Sequence, residues 1–127
     1  MDKKKILVVD DEQDLLDFVE LRLEANNYDV VTAIGGEEAL VVFKKEKPDL
    51  VLLDILMPGL DGFKVCQTLK KDPLTKNIPV IMLTAKDRLD DIKQAKQIGA
   101  NGYIIKPFDA ATLLFDIKEQ LDKIKVS

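Results

Sequence analysis

The sequence predicts an α/β domain, a doubly wound parallel sheet of five strands with five helices on its two faces. Short runs rich in Val, Ile and Leu alternate with longer stretches of helical period, which is the pattern of βα units and not of hairpins or a bundle. Residues 50–53, 80–83 and 103–105 are apolar at every position, as expected of strands covered on both faces. A chain of 127 residues buries roughly two-thirds of its unfolded surface, enough for one core with little room for a second. No linker, low-complexity tract or internal repeat interrupts it, so residues 1–127 are expected to form a single domain.

The first strand is expected over residues 5–9. Lys3, Lys4 and Lys5 before Ile6 briefly resemble a targeting signal, but Asp10, Asp11 and Glu12 stop the apolar stretch after Val9. A helix over 14–26 carries Leu15, Leu16, Val19 and Leu23 on one stripe, and Asn26-Asn27 ends it. The second strand, over 29–33, leads to a helix over 36–45. The third strand (50–53) precedes a helix over 62–71, and the fourth (80–83) precedes one over 88–98 that Gly99 caps. The fifth strand (103–105) precedes a last helix over 109–124, striped by Leu113, Leu114, Ile117, Leu121 and Ile124. Right-handed crossovers restrict the topology, and ligands of such folds bind beyond the carboxyl ends of the strands.

Composition narrows the chemistry. The chain has no histidine or tryptophan and one cysteine, Cys66. Zinc sites, Ser-His or Cys-His catalysis and a phosphohistidine on this chain are therefore set aside, and carboxylates must do the work. One cysteine makes no internal disulfide, and no apolar run approaches the ~18 residues of a membrane span, so a cytoplasmic location is expected. A formal charge of −4, with Arg22 and Arg88 the sole arginines, argues against nucleic-acid binding.

The carboxyl ends of the strands bring Asp10, Asp11, Asp54, Thr84 and Lys106 to one edge. Singly, Asp11 could cap a helix, Thr84 could serve a turn and Lys106 could be a solvated cation. Together they include three carboxylates, and two unit charges ~4 Å apart at an effective dielectric near 20 repel by about 4 kcal/mol. A hard divalent cation relieves this, and Mg²⁺ takes one or two carboxylates while keeping positions for water and a phosphate oxygen. Asp10 and Asp11 are placed to hold that metal. Lys106 and Thr84 would face a transferring phosphoryl group, and Asp54, entering the turn Met57-Pro58-Gly59, is the candidate nucleophile.

Val8-Val9-Asp10-Asp11, Leu53-Asp54-Ile55-Leu56-Met57-Pro58, Asp61-Gly62, Leu83-Thr84-Ala85 and Tyr103-Ile104-Ile105-Lys106-Pro107 resemble the receiver domain of bacterial two-component response regulators, including stand-alone chemotaxis-type and cell-cycle-type receivers. The resemblance spans the whole chain. It implies a flavodoxin-like sheet of order 2-1-3-4-5 and Asp54 as the phosphorylation site. It further implies a Mg²⁺ site (Mn²⁺ substituting) formed by Asp11, Asp54 and the backbone carbonyl of Leu56, with Asp10 acting largely through water. Thr84 and Lys106 match the phosphate-contacting pair, and Lys106-Pro107 would be a cis bond. A sensor histidine kinase or histidine phosphotransfer protein would supply the phosphoryl group. The domain would catalyse its own phosphorylation and dephosphorylation while acting mainly as a switch.

Tyr103 matches the aromatic that fills the space a turning Thr84 leaves; unaided, the residue reads as an amphipathic edge tyrosine. The output surface would be the fourth helix, fifth strand and fifth helix, acting on a downstream effector or fused output domain, with phosphorylation-dependent dimerisation as a further option. Phe18 and Leu21, off the first helix's stripe, would help dock the phosphodonor, and Phe115 lies off the last stripe on the output side. Leu56 and Lys86 match positions that tune phosphoryl lifetime; neither is an obvious base, so moderate to slow self-hydrolysis is expected. Two other readings are weaker. A haloacid-dehalogenase-like phosphatase would also form an aspartyl phosphate, but needs an acid where Leu56 stands. A flavin binder would need a Ser/Thr/Gly loop in place of Asp10-Asp11-Glu12.

Overall fold

A computed structural model describes residues 3–85 and 88–126, except the side chains at 89 and 124–126. The elements alternate as β1 (Lys5–Val9), α1 (Gln13–Ala25), β2 (Asp29–Ala33), α2 (Gly36–Glu46), β3 (Leu50–Asp54), α3 (Gly62–Lys71), β4 (Val80–Ala85), α4 (Leu89–Gln97), β5 (Gly102–Lys106) and α5 (Ala110–Val126). All strand pairs are parallel and the sheet order is β2-β1-β3-β4-β5. The expected fold class and order are both present.

Side chains alternate between the two faces of the sheet. Ile6, Val8, Leu52 and Ile104 pack with Leu16, Val19 and Leu23 of α1 and with Leu113, Ile117 and Leu121 of α5. Leu7, Val9, Leu53 and Met82 pack with Phe43 of α2, Val65 and Leu69 of α3 and Ala95 of α4. Both predicted helical stripes thus face the core, with Leu15 and Leu114 at the margin; the side chain of Ile124 lies outside the described residues. Each fully buried Leu or Ile contributes about 1.5–3 kcal/mol. Among the described residues, no helix is long and apolar enough to cross a membrane.

Helix ends follow their local chemistry. Asn27 is left-handed (φ 72°), and the N–H groups of Asn27 and Tyr28 donate to the carbonyls of Glu24 and Leu23 at 3.2 and 3.1 Å. Gly99 (φ 101°) closes α4 in the same way, with Gly99 and Ala100 donating to Lys96 and Ala95 at 3.2 and 3.0 Å. Both are Schellman motifs.

Three expectations change. The strands carrying the candidate site run further than their apolar runs, because the ladder continues through polar residues: Asp54 pairs with Leu83, Thr84 with Ile105 and Ala85 with Lys106. The fifth strand is not covered on both faces. It is an edge strand, and beside buried Ile104 its neighbours Tyr103 and Ile105 stay 39% and 37% exposed. Asp11 does not cap α1; Glu12 occupies the N-cap position, without a side-chain cap bond.

Candidate functional site

Because the strands run parallel, their carboxyl ends share one edge, where Asp10, Asp11, Asp54, Thr84 and Lys106 converge as expected. Asp10 follows β1 directly, and its N–H donates to the Ala33 carbonyl at 3.1 Å, prolonging the ladder by one step. Its side chain is fully buried. Asp10 Oδ1 accepts from the Glu12 N–H at 2.9 Å, and Oδ2 accepts from Lys106 Nζ at 2.8 Å. The same ammonium lies 3.3 Å from Asp54 Oδ1 and 3.6 Å from Glu12 Oε1. Lys106 thus ties the ends of β1, β3 and β5 together.

Above this contact opens a cleft of about 420 Å³ lined by Asp11, Glu12, Asp54, Leu56, Thr84, Asp91 and Lys106. Asp54 is 6% exposed. Burial, then the charge of Asp10, raises its pKa to about 6 against the lowering pull of Lys106. Burial opposes the charge on Lys106, but the bond to Asp10 and the charge of Asp54 outweigh it and raise its pKa. The edge therefore carries a firmly protonated lysine amid several carboxylates.

One carboxylate oxygen from each of Asp10, Asp11 and Glu12 lies within 4.8 Å of the others. Hard oxygen donors at this spacing, in electrostatic excess over one ammonium, suit Mg²⁺ or Mn²⁺. Glu12 was not among the sequence candidates. Its signal was a third acid following the Asp pair, and the helix start turns it back over the cleft. Asp91 was missed as well: it is a buried acid of α4 that lines the cleft and accepts from Arg88 Nε at 2.8 Å. In the sequence Asp90-Asp91 reads only as acid at a helix start.

Loop 55–61 is built to hold Asp54 still. The Gly62 N–H donates to the Ile55 carbonyl at 3.0 Å, and a β-carbon on Gly62 would run into the Asp54 carbonyl and stand 2.8 Å from Ile55 Cα. Asp61 caps α3, its Oδ1 accepting from the Lys64 N–H at 3.0 Å.

Thr84 is buried, and its hydroxyl reaches only a stretched 3.5 Å contact with the Ala85 carbonyl. Tyr103 is opposite Met82 and Ile105 opposite Thr84, so Tyr103 and Thr84 lie on the same face of the sheet. The Tyr103 ring points outward, 5.5 Å from Lys96 Nζ. The Lys106-Pro107 bond is cis.

Phe18 borders a groove of about 520 Å³ beside the cleft, with Leu15, Lys106, Pro107 and Phe108, and Arg22 covers its ring at 5.3 Å. Leu21 and Phe115 are largely exposed. Leu56 is half exposed at the cleft mouth; Lys86 lies outside the described residues.

A family model described as response regulator receiver domain matches residues 6–118. The "probable transcriptional regulator ycf27" of Porphyridium aerugineum is 45% identical over 124 residues, covering 98% of this chain and 50% of that protein. The alkaline phosphatase synthesis transcriptional regulatory protein PhoP of Bacillus subtilis is 42% identical, over 98% of this chain and 51% of that protein. The chain spans about half the length of these curated relatives. The solved chemotaxis response regulator CheY4 of Vibrio cholerae aligns with a TM-score of 0.88 at 31% identity, covering 94% of this chain and 99% of that one.

Proposed function

Because the chain belongs to the response regulator receiver domain family, we propose that Asp54 accepts a phosphoryl group from a partner's phosphohistidine in a Mg²⁺-dependent reaction. Receivers of this family generally use Mg²⁺ and form a phosphoaspartate, and they typically work with histidine kinases and output domains. The observation that carries the reading is the Lys106 ammonium between buried Asp10 and Asp54, at the floor of an open, acid-rimmed cleft.

With Oδ1 held by Lys106, Asp54 attacks phosphorus through Oδ2. An O–P bond forms, the P–N bond breaks, and its electron pair returns to the partner's imidazole nitrogen. Asp10, Asp11, Asp54 and the Leu56 carbonyl would hold Mg²⁺, Asp10 largely through water, with Glu12 beside them. When bound, the ion supplies neutralising charge for the phosphoryl oxygens. Lys106 stabilises one phosphoryl oxygen, and the weakly engaged Thr84 hydroxyl turns to another.

Phosphorylation places a group of roughly −1.5 to −2 charges beside Thr84, where the Asp54 carboxylate carried at most one. The turn of Thr84 vacates space on the face it shares with Tyr103, whose ring then leaves Lys96 and moves inward. That change alters the surface of α4, β5 and α5, which presents the signal to an effector, an output domain or a second copy; Phe115 stands on its α5 margin. The groove beside Phe18, with exposed Leu21 further along α1, receives the histidine kinase or phosphotransfer protein. Moderate to slow self-hydrolysis at Leu56 and Lys86, a single domain over residues 1–127 and a cytoplasmic location complete the proposal.

The test is to incubate the protein with Mg²⁺ and acetyl phosphate and weigh it. One phosphoryl group is expected on the protein, absent with chelator and absent in Asp54→Asn. Unlabelled wild-type protein, or a labelled Asp54→Asn variant, overturns the assignment.

A further inference from the structure

The start of α2 has no place in the chemistry above, yet it rests directly on the loop that carries Leu56. Glu37 Oε1 accepts a hydrogen bond from the Leu60 N–H at 3.2 Å, across 23 residues of sequence. Gly59 has φ 77°, and a β-carbon there would stand 3.3 and 3.4 Å from the two Glu37 carboxylate oxygens. Gly36 packs so closely on Leu60 that its own β-carbon would come within 2.8 Å of Leu60 Cβ. Bare backbone on both sides brings helix and loop tip together, and Glu37 bridges them.

We propose that Glu37 is a positioning residue for loop 55–61, holding the Leu56 carbonyl where a divalent cation needs it. The proposal rests on the Mg²⁺ reading of the cleft. Loop 55–61 is pinned at its base by the Gly62–Ile55 bond and by buried Met57, while Leu56, Pro58 and Gly59 are exposed. Without Glu37, Leu60 would keep its N–H in water and the tip would gain freedom. Mg²⁺ demands near-ideal octahedral geometry, so a looser carbonyl is a poorer ligand. Partners that orient a metal ligand typically change affinity 10–100-fold. Glu37 acts one step further out, so about a threefold to tenfold weakening is expected. Neighbouring Glu38 accepts from the Ile34 N–H at 3.4 Å; it shares the charge and the turn without a bond to the loop.

Isothermal titration with MgCl₂, without phosphodonor, tests this on the wild type, Glu37→Ala, Glu37→Gln and Glu38→Ala, each first shown to be folded by urea denaturation. The Mg²⁺ dissociation constant should rise about threefold to tenfold in Glu37→Ala. It should stay within about twofold of wild type in Glu37→Gln, whose amide oxygen accepts the same bond, and in Glu38→Ala. Amide NMR shifts of residues 56, 57, 59 and 60 in metal-free protein should move in Glu37→Ala well beyond their movement in Glu37→Gln or Glu38→Ala. Unchanged affinity in Glu37→Ala overturns the proposal, as does a Gln variant as weak as Ala, which would assign the effect to charge. A wild-type protein that binds no Mg²⁺ overturns the cation reading first, and the proposal with it.

Discussion

Removing the Asp54 charge should stabilise the metal-free protein at neutral pH. The carboxyl is buried beside Asp10, and its pKa stands at about 6, against about 3.9 in an unfolded chain. The folded state holds this proton more tightly, so its contribution to stability is complete below about pH 4 and is lost as pH rises through about 6. A shift of about two units corresponds to about 3 kcal/mol. Solvent in the open cleft screens the charge, so about 1–2 kcal/mol is the expected net penalty. Lys106 loses one contact in Asp54→Asn but keeps Asp10 at 2.8 Å. Urea denaturation in chelator should therefore find Asp54→Asn more stable than wild type by about 1–2 kcal/mol at pH 7.5 and nearly equal at pH 4. Added Mg²⁺ should then narrow or reverse the gap by stabilising the folded wild type. A variant no more stable than wild type at pH 7.5, or a gap that ignores pH, would refute the reasoning.

Lys106→Met keeps the aliphatic stem but leaves buried Asp10 without its counter-charge. Metal-free stability at pH 7.5 should fall by about 2–4 kcal/mol in urea denaturation, and phosphodonor labelling should slow sharply; unchanged stability would mean the ammonium is not the clamp. Gly62→Ala forces a β-carbon onto the Asp54 carbonyl and should cost at least about 1–3 kcal/mol. A neutral result in the same assay would show that the loop yields easily. Phe18→Ala should slow transfer from a cognate phosphohistidine donor about fivefold to thirtyfold, the equivalent of about 1–2 kcal/mol of docking. Labelling by acetyl phosphate should not change, and equal loss with both donors would remove the docking role.

Much of this architecture was legible because the apolar runs of β1 and β2 and the helical period of α3 coincide with their structural limits. The carboxyl ends of β3, β4 and β5 were read short for a physical reason. Asp54, Thr84 and Lys106 break the apolar pattern, while backbone pairing does not depend on side-chain polarity. The exposure of Tyr103 and Ile105 follows from the edge position of β5 and not from its composition. Lys47 ends α2 at φ 50° with no glycine to announce it. The acids of the site were visible because parallel strands must deliver their carboxyl ends to one edge. Its positional partners were not: the Lys106–Asp10 bond spans 96 residues, and the burial of Asp91 or the reach of Glu37 to Leu60 depends on tertiary packing. The placement of Phe18 beside the cleft likewise required knowing where α1 lies against Pro107 and Phe108.

The most direct test of the central claim traps the phosphoryl group on its residue. Wild-type protein labelled with acetyl phosphate and Mg²⁺ is reduced with borohydride, which converts an aspartyl phosphate to the alcohol, and is then digested and sequenced by mass spectrometry. The predicted result is reduction at position 54, with Asp10, Asp11 and Glu12 intact. Reduction at any of those acids, or none in a labelled protein, would contradict Asp54 as the phosphoacceptor.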